Sequence, residues 1–313
     1  MPALICGSLA FDTITTFGGR FAEQILPDQV HILNVSFLVP TLRREWGGCA
    51  GNIAYNLHLL GERPLVLAAL GVDGGEYLRR LEAWGADTSL VWRDAELHTA
   101  QCHITTDRDN NQITAFHPGA MSHAHKVAVP ARGQRGDIAI GIVAPDGRDA
   151  MWQHAAQMHA EGIPFVFDPG QQLPQFDGSE HRALLGMASW LALNDYEARL
   201  LEERTGESLQ AMSRRPNLRG VVVTLGADGC ALWVQGERSH VAGVAAAQVV
   251  DPTGCGDAFR AGLLYGLERG WPLARCLTLG NRIGAVKVAS RGPQNHRLDG
   301  VLDGMLDGVL DGV

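Results

Sequence analysis

Short apolar segments that favour β-structure alternate with amphipathic helical segments along most of the chain. The apolar segments are residues 3–11, 64–70, 137–144, 164–168, 190–194 and 220–226. Helical patterns lie between several of them, at residues 51–61, 75–85 and 195–206. Strands that are apolar on both faces are typical of a parallel sheet covered on both sides by helices. We therefore predict an α/β fold with three layers, in which a central, mostly parallel sheet lies between helices.

Two regions interrupt this alternation. The first is approximately residues 15–45 and contains the segment VHILNVSFLV. The second is residues 98–119, where an Asn-Asn pair at 110–111 separates two alternating strands, as in a β-hairpin. We interpret both regions as parts of a small β lid attached to the main layers, within one domain that covers residues 1–297.

The carboxyl-terminal segment 298–313 repeats a four-residue unit four times, as LDGVLDGMLDGVLDGV. Every unit contains a glycine, and a glycine inside a helix costs about 1 kcal/mol relative to alanine. The spacing of the aspartates matches no calcium-binding loop. We therefore expect a disordered acidic tail of low complexity.

The composition is that of an ordinary globular protein, with 46% hydrophobic and 19% charged residues. A net charge of −8 argues against nucleic acid or a membrane surface as a partner. The six cysteines are scattered without a CxxC pair, which argues against structural zinc. Residues 1–3 lead directly into a strand-like run, and no apolar run is long enough to span a bilayer. We expect a reduced, cytoplasmic protein.

A glycine-rich stretch precedes a predicted helix in VVDPTGCGDAFRAGLLYGL, residues 249–267. The first amides of a helix lack partners within it, and that end carries partial positive charge. We therefore expect the amides of residues 254–257 to form an anion site, with an ionised Asp257 at its edge. The alternative is that Asp257 only caps the helix, which leaves the small residues before it unexplained. The helix also has a row of small residues, which would let another element pack closely: Ala258, Gly262 and Gly266.

A second glycine-rich stretch, GGCAGNIAYNLHLLG, occupies residues 47–61. Together with DPTGCGDAFRAGL at 251–263, it resembles the two signature motifs of the PfkB carbohydrate kinases, the ribokinase-like family, in the family's order. NDYE at 194–197 is similar to the family's NxxE, and TLGADG at 224–229 is similar to its nucleotide-side hairpin. The resemblance covers approximately residues 3–297. It implies a ribokinase-like α/β/α fold and an ATP-dependent phosphotransferase.

Phosphoryl transfer to a hydroxyl needs alignment, charge neutralisation and an oriented nucleophile. Asp257 is the candidate base for the acceptor hydroxyl, and the amides of Gly254, Cys255, Gly256 and Asp257 are candidates to stabilise charge on the transferring group. The family usually has alanine or glycine where this chain has Cys255. We interpret Cys255 as a tolerated small residue without a catalytic role.

Asp12 follows the first predicted strand, where its carboxylate could accept hydrogen bonds from the two neighbouring hydroxyls of a ribose. The alternative is an acid in a turn. The resemblance adds further candidates for the acceptor site: Gly48, Asn52 and Gln171. For ATP it adds Asn194, Thr224, Gly226 and Gly229, and the more weakly supported Gly292 and Asn295.

Asn194 and Glu197 share one face of a helix and resemble the pair that organises Mg²⁺ through its waters. The alternative is an N-cap residue followed by a surface acid. Asp251 and Thr253 resemble family positions near a monovalent cation, for which K⁺ is the candidate.

Family membership does not determine the acceptor, because these folds accept sugars, sugar phosphates and nucleosides. Phe37 and Phe116 lie in the two lid segments, where they could cover a flat base. The alternative is that both only hold the lid strands together. The FHPG segment and the long first lid segment resemble the nucleoside and adenosine kinase branch.

We therefore expect an ATP-dependent kinase for the 5′-hydroxyl of a purine nucleoside. The alternatives are a ribokinase- or fructokinase-like sugar kinase and a ligand-binding relative without catalysis. The expected partners are small molecules, and the chain is expected to be a monomer or a homodimer formed through the lid.

Overall fold

The computed structural model describes residues 2–25, 34–109, 111–131, 133–134 and 138–305. Within these residues, nine strands form a central sheet in the order β13-β12-β11-β10-β9-β8-β1-β4-β5. Their bounds are β1 (Ala3–Cys6), β4 (Leu65–Leu70), β5 (Asp87–Arg93), β8 (Ile140–Val143), β9 (Phe165–Phe167), β10 (Trp190–Asn194), β11 (Gly220–Thr224), β12 (Gly229–Val234) and β13 (Glu237–Ala242). The strands from β11 to β5 are parallel, and β12 and β13 add an antiparallel edge.

Helices cover both faces of this sheet. One face carries α2 (Cys49–Leu59), α3 (Gly75–Ala83), α8 (Cys255–Glu268) and α9 (Leu273–Lys287), and the other carries α4 (Arg148–Ala160), α5 (Gly178–Met187), α6 (Asp195–Thr205) and α7 (Leu209–Met212). Successive strand residues alternate between the two cores, as Leu4 and Ile5 do in β1. The predicted three-layer α/β/α architecture is confirmed.

Shorter helical segments complete the chain, namely α1 (Phe21–Gln24) and the 3₁₀ segments Gly119–Lys126, Gly170–Gln175 and Gly226–Asp228. Helices α8 and α9 approach each other unusually closely. A Cβ on Gly262 would lie 2.7 Å from the backbone nitrogen of Gly280, so no larger residue fits there. The close packing predicted from the row of small residues is therefore present.

The lid is a second, four-stranded sheet with the order β3-β2-β6-β7. Its strands are β2 (Ala10–Thr16), β3 (Thr41–Gly47), β6 (Ala100–Thr106) and β7 (Gln112–His117). The predicted hairpin is the antiparallel pair β6–β7. Residues 34–39 of the first lid segment form no strand, and the strand begins instead at Thr41. Residues 30–33 and Asn110 lie outside the described residues.

The start of the repeated carboxyl-terminal segment is ordered, contrary to our expectation. Residues 298–305 form turns, and Leu298, Val301 and Met305 are buried in the core beside α8 and α9. Arg282 donates hydrogen bonds from Nη1 to the carbonyls of Val301 and Asp303. The apolar residues of the first two units thus have a surface to pack on, which the sequence pattern does not reveal. Residues 306–313 lie outside the described residues.

Candidate active site

A cavity of about 540 Å³ lies at the carboxyl ends of the parallel strands, the edge at which open α/β sheets bind ligands. Strand β10 ends there at Asn194 and β11 at Thr224, while Asp168 directly follows β9. The first turn of α8 closes one side with Gly256 and Asp257. The cavity also receives Gly226, Glu197, Gly254 and Gln171, so many of the predicted residues meet here.

Asp257 is held by a residue from the first glycine-rich motif. Asn52 donates a hydrogen bond from Nδ2 to Oδ2 of Asp257 across 2.7 Å. Burial raises the pKa of Asp257 to about 7; the nearby Asp168 adds to this effect, whereas Asn52 and Arg260 oppose it. We expected the helix terminus to favour the ionised acid, but in this cavity desolvation outweighs that effect.

Asp257 does not cap α8. The N-cap residue is Gly254, with φ 78°, and no side chain caps the first turn. A Cβ on Gly254 would lie 2.6 Å from Cβ of Pro293, so the turn needs glycine. The amide of Cys255 donates to the carbonyl of Pro252, which occupies one of the four amides expected in the anion site.

The environment of the Cys255 thiol does not favour a nucleophilic role. Its Sγ lies 3.8 Å from the carbonyl oxygen of Gly284, and burial raises its pKa. This environment agrees with our interpretation of Cys255 as a small packing residue.

A chain of hydrogen bonds supports Asn52 from behind. Gln294 donates from Nε2 to Oδ1 of Asn52 at 3.0 Å and to the hydroxyl of Tyr77 at 2.8 Å. The Tyr77 hydroxyl donates in turn to the carbonyl of Gly47 at 2.6 Å. A Cβ on Gly51 would lie 1.9 Å from that hydroxyl, so glycine is required beside it. The chain determines which side of the Asn52 amide faces Asp257.

Gln294 and Tyr77 were missed in the sequence analysis. Gln294 lies in the segment RGPQNH from which Gly292 and Asn295 were selected instead. Tyr77 is an apparently ordinary core position of α3, and it is fully buried. No local spacing distinguishes either residue.

A buried ion pair, also missed, lies beside Asp257. Arg260 donates from Nε and Nη2 to the two carboxylate oxygens of Asp168 at 3.0 and 3.1 Å. Only about one twentieth of either side chain is exposed. The one available signal was the position of Asp168 at the end of the apolar strand PFVFD.

Asn194 and Glu197 form a capping box at the start of α6. Asn194 accepts the amide of Glu197 at 2.8 Å, and both oxygens of Glu197 accept from Asn194. Asn194 is therefore an N-cap residue, as the alternative held. Glu197 is not a surface acid, because it lines the cavity and burial raises its pKa, with a further contribution from Asp168.

Gly48 and Cys49 join the first motif to this region. Gly48 has φ 85°, and a Cβ there would lie 2.5 Å from the carbonyl oxygen of Ser8. The Cys49 amide donates to Oγ of Ser8 at 3.1 Å, and Cys49 lines the cavity. The close approach that Gly48 permits is thus made by Ser8 at the corner between β1 and β2.

A second cavity, of about 440 Å³, adjoins the first. Both cavities are lined by Thr224, Gly226 and Gly256, and Gly229 belongs to the second. Small and apolar residues make up most of its remaining lining, including Ala245, Ala246, Val249, Phe259 and Val288. Such a lining suits a flat, mostly apolar ring.

Gly292 and Asn295, expected near the adenine, line neither of the two cavities. The Gly292 amide donates to Oδ2 of Asp251, and Asn295 donates from Nδ2 to Oε2 of Glu45, each at 2.9 Å. Neither lines the second cavity. Asn295 instead connects the carboxyl-terminal segment to β3 of the lid, and Gly292 connects it to the segment that precedes α8.

Asp12 lies in a row of side chains across the lid. The strand registers place it opposite Glu45 on β3 and Cys102 on β6, and Cys102 opposite Phe116 on β7. Directly opposed residues share one face of a sheet, and strands are about 4.8 Å apart, so Phe116 lies roughly 10 Å from Asp12 on the same face. Burial and two neighbouring carboxylates, those of Glu45 and Asp251, raise the pKa of Asp12 to about 6.

The two lid phenylalanines have different surroundings. Phe116 is 44% exposed on β7. Phe37 packs against Phe17 and Phe21, with ring centroids 4.9 and 5.0 Å apart. Phe37 therefore contributes to the packing of the lid, which is the role given by the alternative interpretation.

Asp251, one of the two residues predicted near a monovalent cation, is in contact with a lysine. The Asp251 carboxylate accepts the amide of Thr253 at 2.9 Å, and the Asp251 carbonyl accepts a hydrogen bond from Nζ of Lys287 at 2.6 Å. An additional cation at that carbonyl would lie against the Lys287 ammonium. The arrangement does not fit the K⁺ suggested by the family resemblance.

No helix among the residues that the structure describes is long and apolar enough to cross a bilayer.

Comparison with known proteins agrees with this geometry. The model of the pfkB family of carbohydrate kinases matches residues 22–299. A nucleoside kinase of Methanocaldococcus jannaschii is 28% identical over 270 residues, which cover 84% of this chain and 85% of that protein. A fructokinase of Escherichia coli is 28% identical over 271 residues, covering 79% of this chain and 86% of that protein.

Solved structures extend the comparison. The structure of Burkholderia thailandensis nucleoside kinase with inosine has a TM-score of 0.83 and 47% identity, covering 94% of this chain and 93% of that chain. The structure of the same kinase in complex with ADP-inosine has a TM-score of 0.80 and 48% identity, covering 94% and 91%. The predicted resemblance is confirmed: the chain belongs to the pfkB family of carbohydrate kinases and is an ATP-dependent phosphotransferase.

Proposed function

We propose that the protein transfers the γ-phosphate of ATP to the 5′-hydroxyl of a purine nucleoside. The row from Asp12 to Phe116 on one face of the lid carries this proposal. A nucleoside needs a partner for its ribose diol and an apolar surface for its base, whereas a free sugar has no base. The complex of the 47% identical Burkholderia kinase with inosine supports the same acceptor class.

In this proposal, Asp12 accepts hydrogen bonds from the ribose hydroxyls, and Phe116 covers the base. A carboxylate has enough lone pairs to accept from two neighbouring hydroxyls. The roughly 10 Å across two strand spacings suits a ribose with its attached base. Since Phe116 is exposed, a bound base would remove its ring from water, and such stacking is worth about 1–3 kcal/mol per base in nucleic-acid complexes.

Asp257 is the proposed base. A pKa of about 7 lets it accept the proton of the 5′-hydroxyl as the oxygen attacks the γ-phosphorus. The bond from Asn52 holds its carboxylate in place. The start of α8 offers main-chain amides and a positive helix terminus to the charge that spreads over the transferring phosphoryl group.

ATP is proposed to lie across both cavities, with its adenine in the apolar one. The triphosphate would then reach the first cavity, whose lining contains four acids, Asp168, Asp195, Glu197 and Asp257, and one arginine, Arg260. Oxygen ligands of this kind fit Mg²⁺, which retains most of its waters. Glu197 and Asn194 would hold those waters, and Mg²⁺ would supply the charge neutralisation that a triphosphate needs among carboxylates.

The acceptor is tested by measuring ADP release with Mg²⁺-ATP. The panel is inosine, adenosine, guanosine and cytidine, compared with ribose and fructose. We expect the highest kcat/KM for a purine nucleoside. Turnover with free sugars only would contradict the nucleoside proposal and favour the sugar kinase alternative, which the 28% identity to the Escherichia coli fructokinase keeps open.

The proposed base is tested by Asp257→Asn. The amide preserves the size of the side chain but cannot accept the proton. We expect kcat to fall by about 10²–10⁴-fold, the usual contribution of such a base, while ATP binding measured by calorimetry stays close to wild type. A variant with near-normal turnover would show that another group accepts the proton.

A further inference from the structure

Lys287 is one of two lysines in the chain, and the two have opposite environments. Lys126 is 39% exposed. Lys287, the last residue of α9, is fully buried. A buried ammonium is costly unless polar groups surround it, so Lys287 requires a structural or functional explanation.

Main-chain carbonyls hold the Lys287 ammonium. Nζ donates to the carbonyl of Asp251 at 2.6 Å and to the carbonyl of Ser290 at 3.4 Å. Backbone carbonyls are the groups that replace the hydration shell of K⁺ in protein sites. The Lys287 ammonium carries the same charge as K⁺ and donates hydrogen bonds to both carbonyls, those of Asp251 and Ser290.

These carbonyls belong to two segments, residues 250–253 and 288–292, which are hydrogen-bonded to each other. The carbonyl of Val288 accepts hydrogen bonds from the amides of Val250 and Asp251, at 2.8 and 3.0 Å. The Asp251 carboxylate accepts the amides of Thr253 and Gly292, each at 2.9 Å. The segment that contains Asp251 and Thr253 leads directly into the turn that carries Gly254 and Asp257.

We propose that the Lys287 ammonium serves as a built-in monovalent cation, which organises the segment before the anion site and makes phosphoryl transfer independent of added K⁺. A second cation at the Asp251 carbonyl would be repelled at close range by this ammonium. The inference concerns the phosphotransferase step alone and holds for any acceptor. It replaces the K⁺ requirement suggested by the family resemblance.

Electrostatics agree with this role. Desolvation lowers the pKa of Lys287, while the neighbouring groups Cys255, Asp251, Asp257 and Glu45 raise it. Asp257, at the proposed anion site, is therefore one of the carboxylates that favour the charged form of Lys287. A fixed positive charge there favours binding of phosphate oxygens and costs no reorganisation during the reaction.

The first test uses the wild-type protein. Initial rates are measured at constant ionic strength in choline chloride, NaCl, KCl and NH₄Cl, with saturating Mg²⁺-ATP and acceptor. We expect equal rates in all four salts. Activation by K⁺ of several-fold or more over choline would overturn the proposal, whatever the behaviour of any variant.

The second test restores the cation from solution. Lys287→Ala removes the ammonium and leaves space beside the two carbonyls, whereas Lys287→Met removes the charge but fills the space. We expect both variants to lose about tenfold or more in kcat in choline chloride. K⁺ or NH₄⁺ should restore most of the activity of Lys287→Ala in a saturable manner and raise its melting temperature, with little effect on Lys287→Met.

Lys126→Ala is the matched control, and its activity should equal that of wild type in every salt. Full activity of Lys287→Ala in choline would contradict the proposal. A folded Lys287→Ala whose loss no cation restores would give Lys287 a packing role only, and would also contradict it. Should neither variant fold, the salt dependence of the wild-type protein decides.

Discussion

Asn52 and Asp257 are 205 positions apart, and their side chains are joined by a hydrogen bond of 2.7 Å from Nδ2 to Oδ2. The bond connects the first turn of α2 with the first turn of α8, so each glycine-rich motif contributes one end of it. Because Gln294 occupies Oδ1 of Asn52, the amide can only offer its nitrogen to Asp257. The proposed base is therefore oriented by residues that need not touch the acceptor.

The activity should depend on pH through Asp257. Its pKa is raised to about 7, so below that pH the proton is bound and the base is lost. We expect kcat/KM to rise with pH through a midpoint near 7 and to level off about one unit higher, as measured over the range from about pH 5.5 to about 8.5. In Asn52→Ala the donor that lowers this pKa is gone, and the rise should move to higher pH. An unchanged profile in Asn52→Ala would contradict the assignment.

Gln294 is predicted to be a positioning residue. Gln294→Ala frees the amide of Asn52 to rotate, so we expect kcat to fall by about tenfold while the KM for ATP changes little. The rise in kcat/KM should also shift towards higher pH, because the bond to Asp257 is weakened. A purely structural role would lower the melting temperature without moving the pH profile. Gln175→Ala, at an exposed position, is the control.

The buried pair of Arg260 and Asp168 is predicted to dominate local stability. Asp168→Ala leaves a buried guanidinium without its partner, so the free energy of unfolding should fall by about 3–5 kcal/mol, measured by urea denaturation. The control is Asp109→Ala, which breaks the exposed pair with Arg20 and should lower the free energy of unfolding far less, because solvent screens exposed charges. Equal effects of the two changes would show that the buried pair is not specially important.

Replacing each of the two lid phenylalanines by alanine should have a different effect. Phe116→Ala is expected to raise the KM for the nucleoside by about tenfold and leave the KM for ATP unchanged. Phe37→Ala should mainly lower the melting temperature, because it removes contacts with Phe17 and Phe21. Ile113→Ala, exposed on the opposite face of β7, should change neither KM. An unchanged KM for the nucleoside in Phe116→Ala would show that Phe116 does not contact the nucleoside and serves only the structure of the lid.

Much of this architecture could be predicted from local patterns. The six apolar runs correspond to β1, β4, β8, β9, β10 and β11, whereas β5, β12 and β13 were not among the predicted strands. Helix α8 begins at Cys255, within the glycine-rich stretch that was expected to precede it. The two glycine-rich motifs identified the neighbourhood of Asn52 and Asp257. Glycine spacing is informative there because a turn of positive φ, as at Gly48 and Gly254, excludes most other residues.

The residues that support the site could not be predicted in this way. Gln294 reaches Tyr77 and Asn52 across 217 and 242 positions, and no periodicity records contacts between such distant segments. In the sequence, Lys287 resembles a surface lysine at the end of a helix. Only the structure shows that its ammonium donates a hydrogen bond to the carbonyl of Asp251. The pKa of Asp257 was misjudged because helix polarity is visible in a sequence, whereas desolvation depends on the assembled cavity.

The two cavities share Thr224, Gly226 and Gly256 in their linings, so they adjoin each other at the sheet edge. A single inhibitor could therefore span both, with a purine in the apolar cavity tethered through a short anionic linker to a nucleoside mimic at the proposed acceptor site. Linking the two fragments makes the second binding event intramolecular, and affinity can then exceed that of either fragment by orders of magnitude. The optimum tether length would measure the separation of the two subsites in solution.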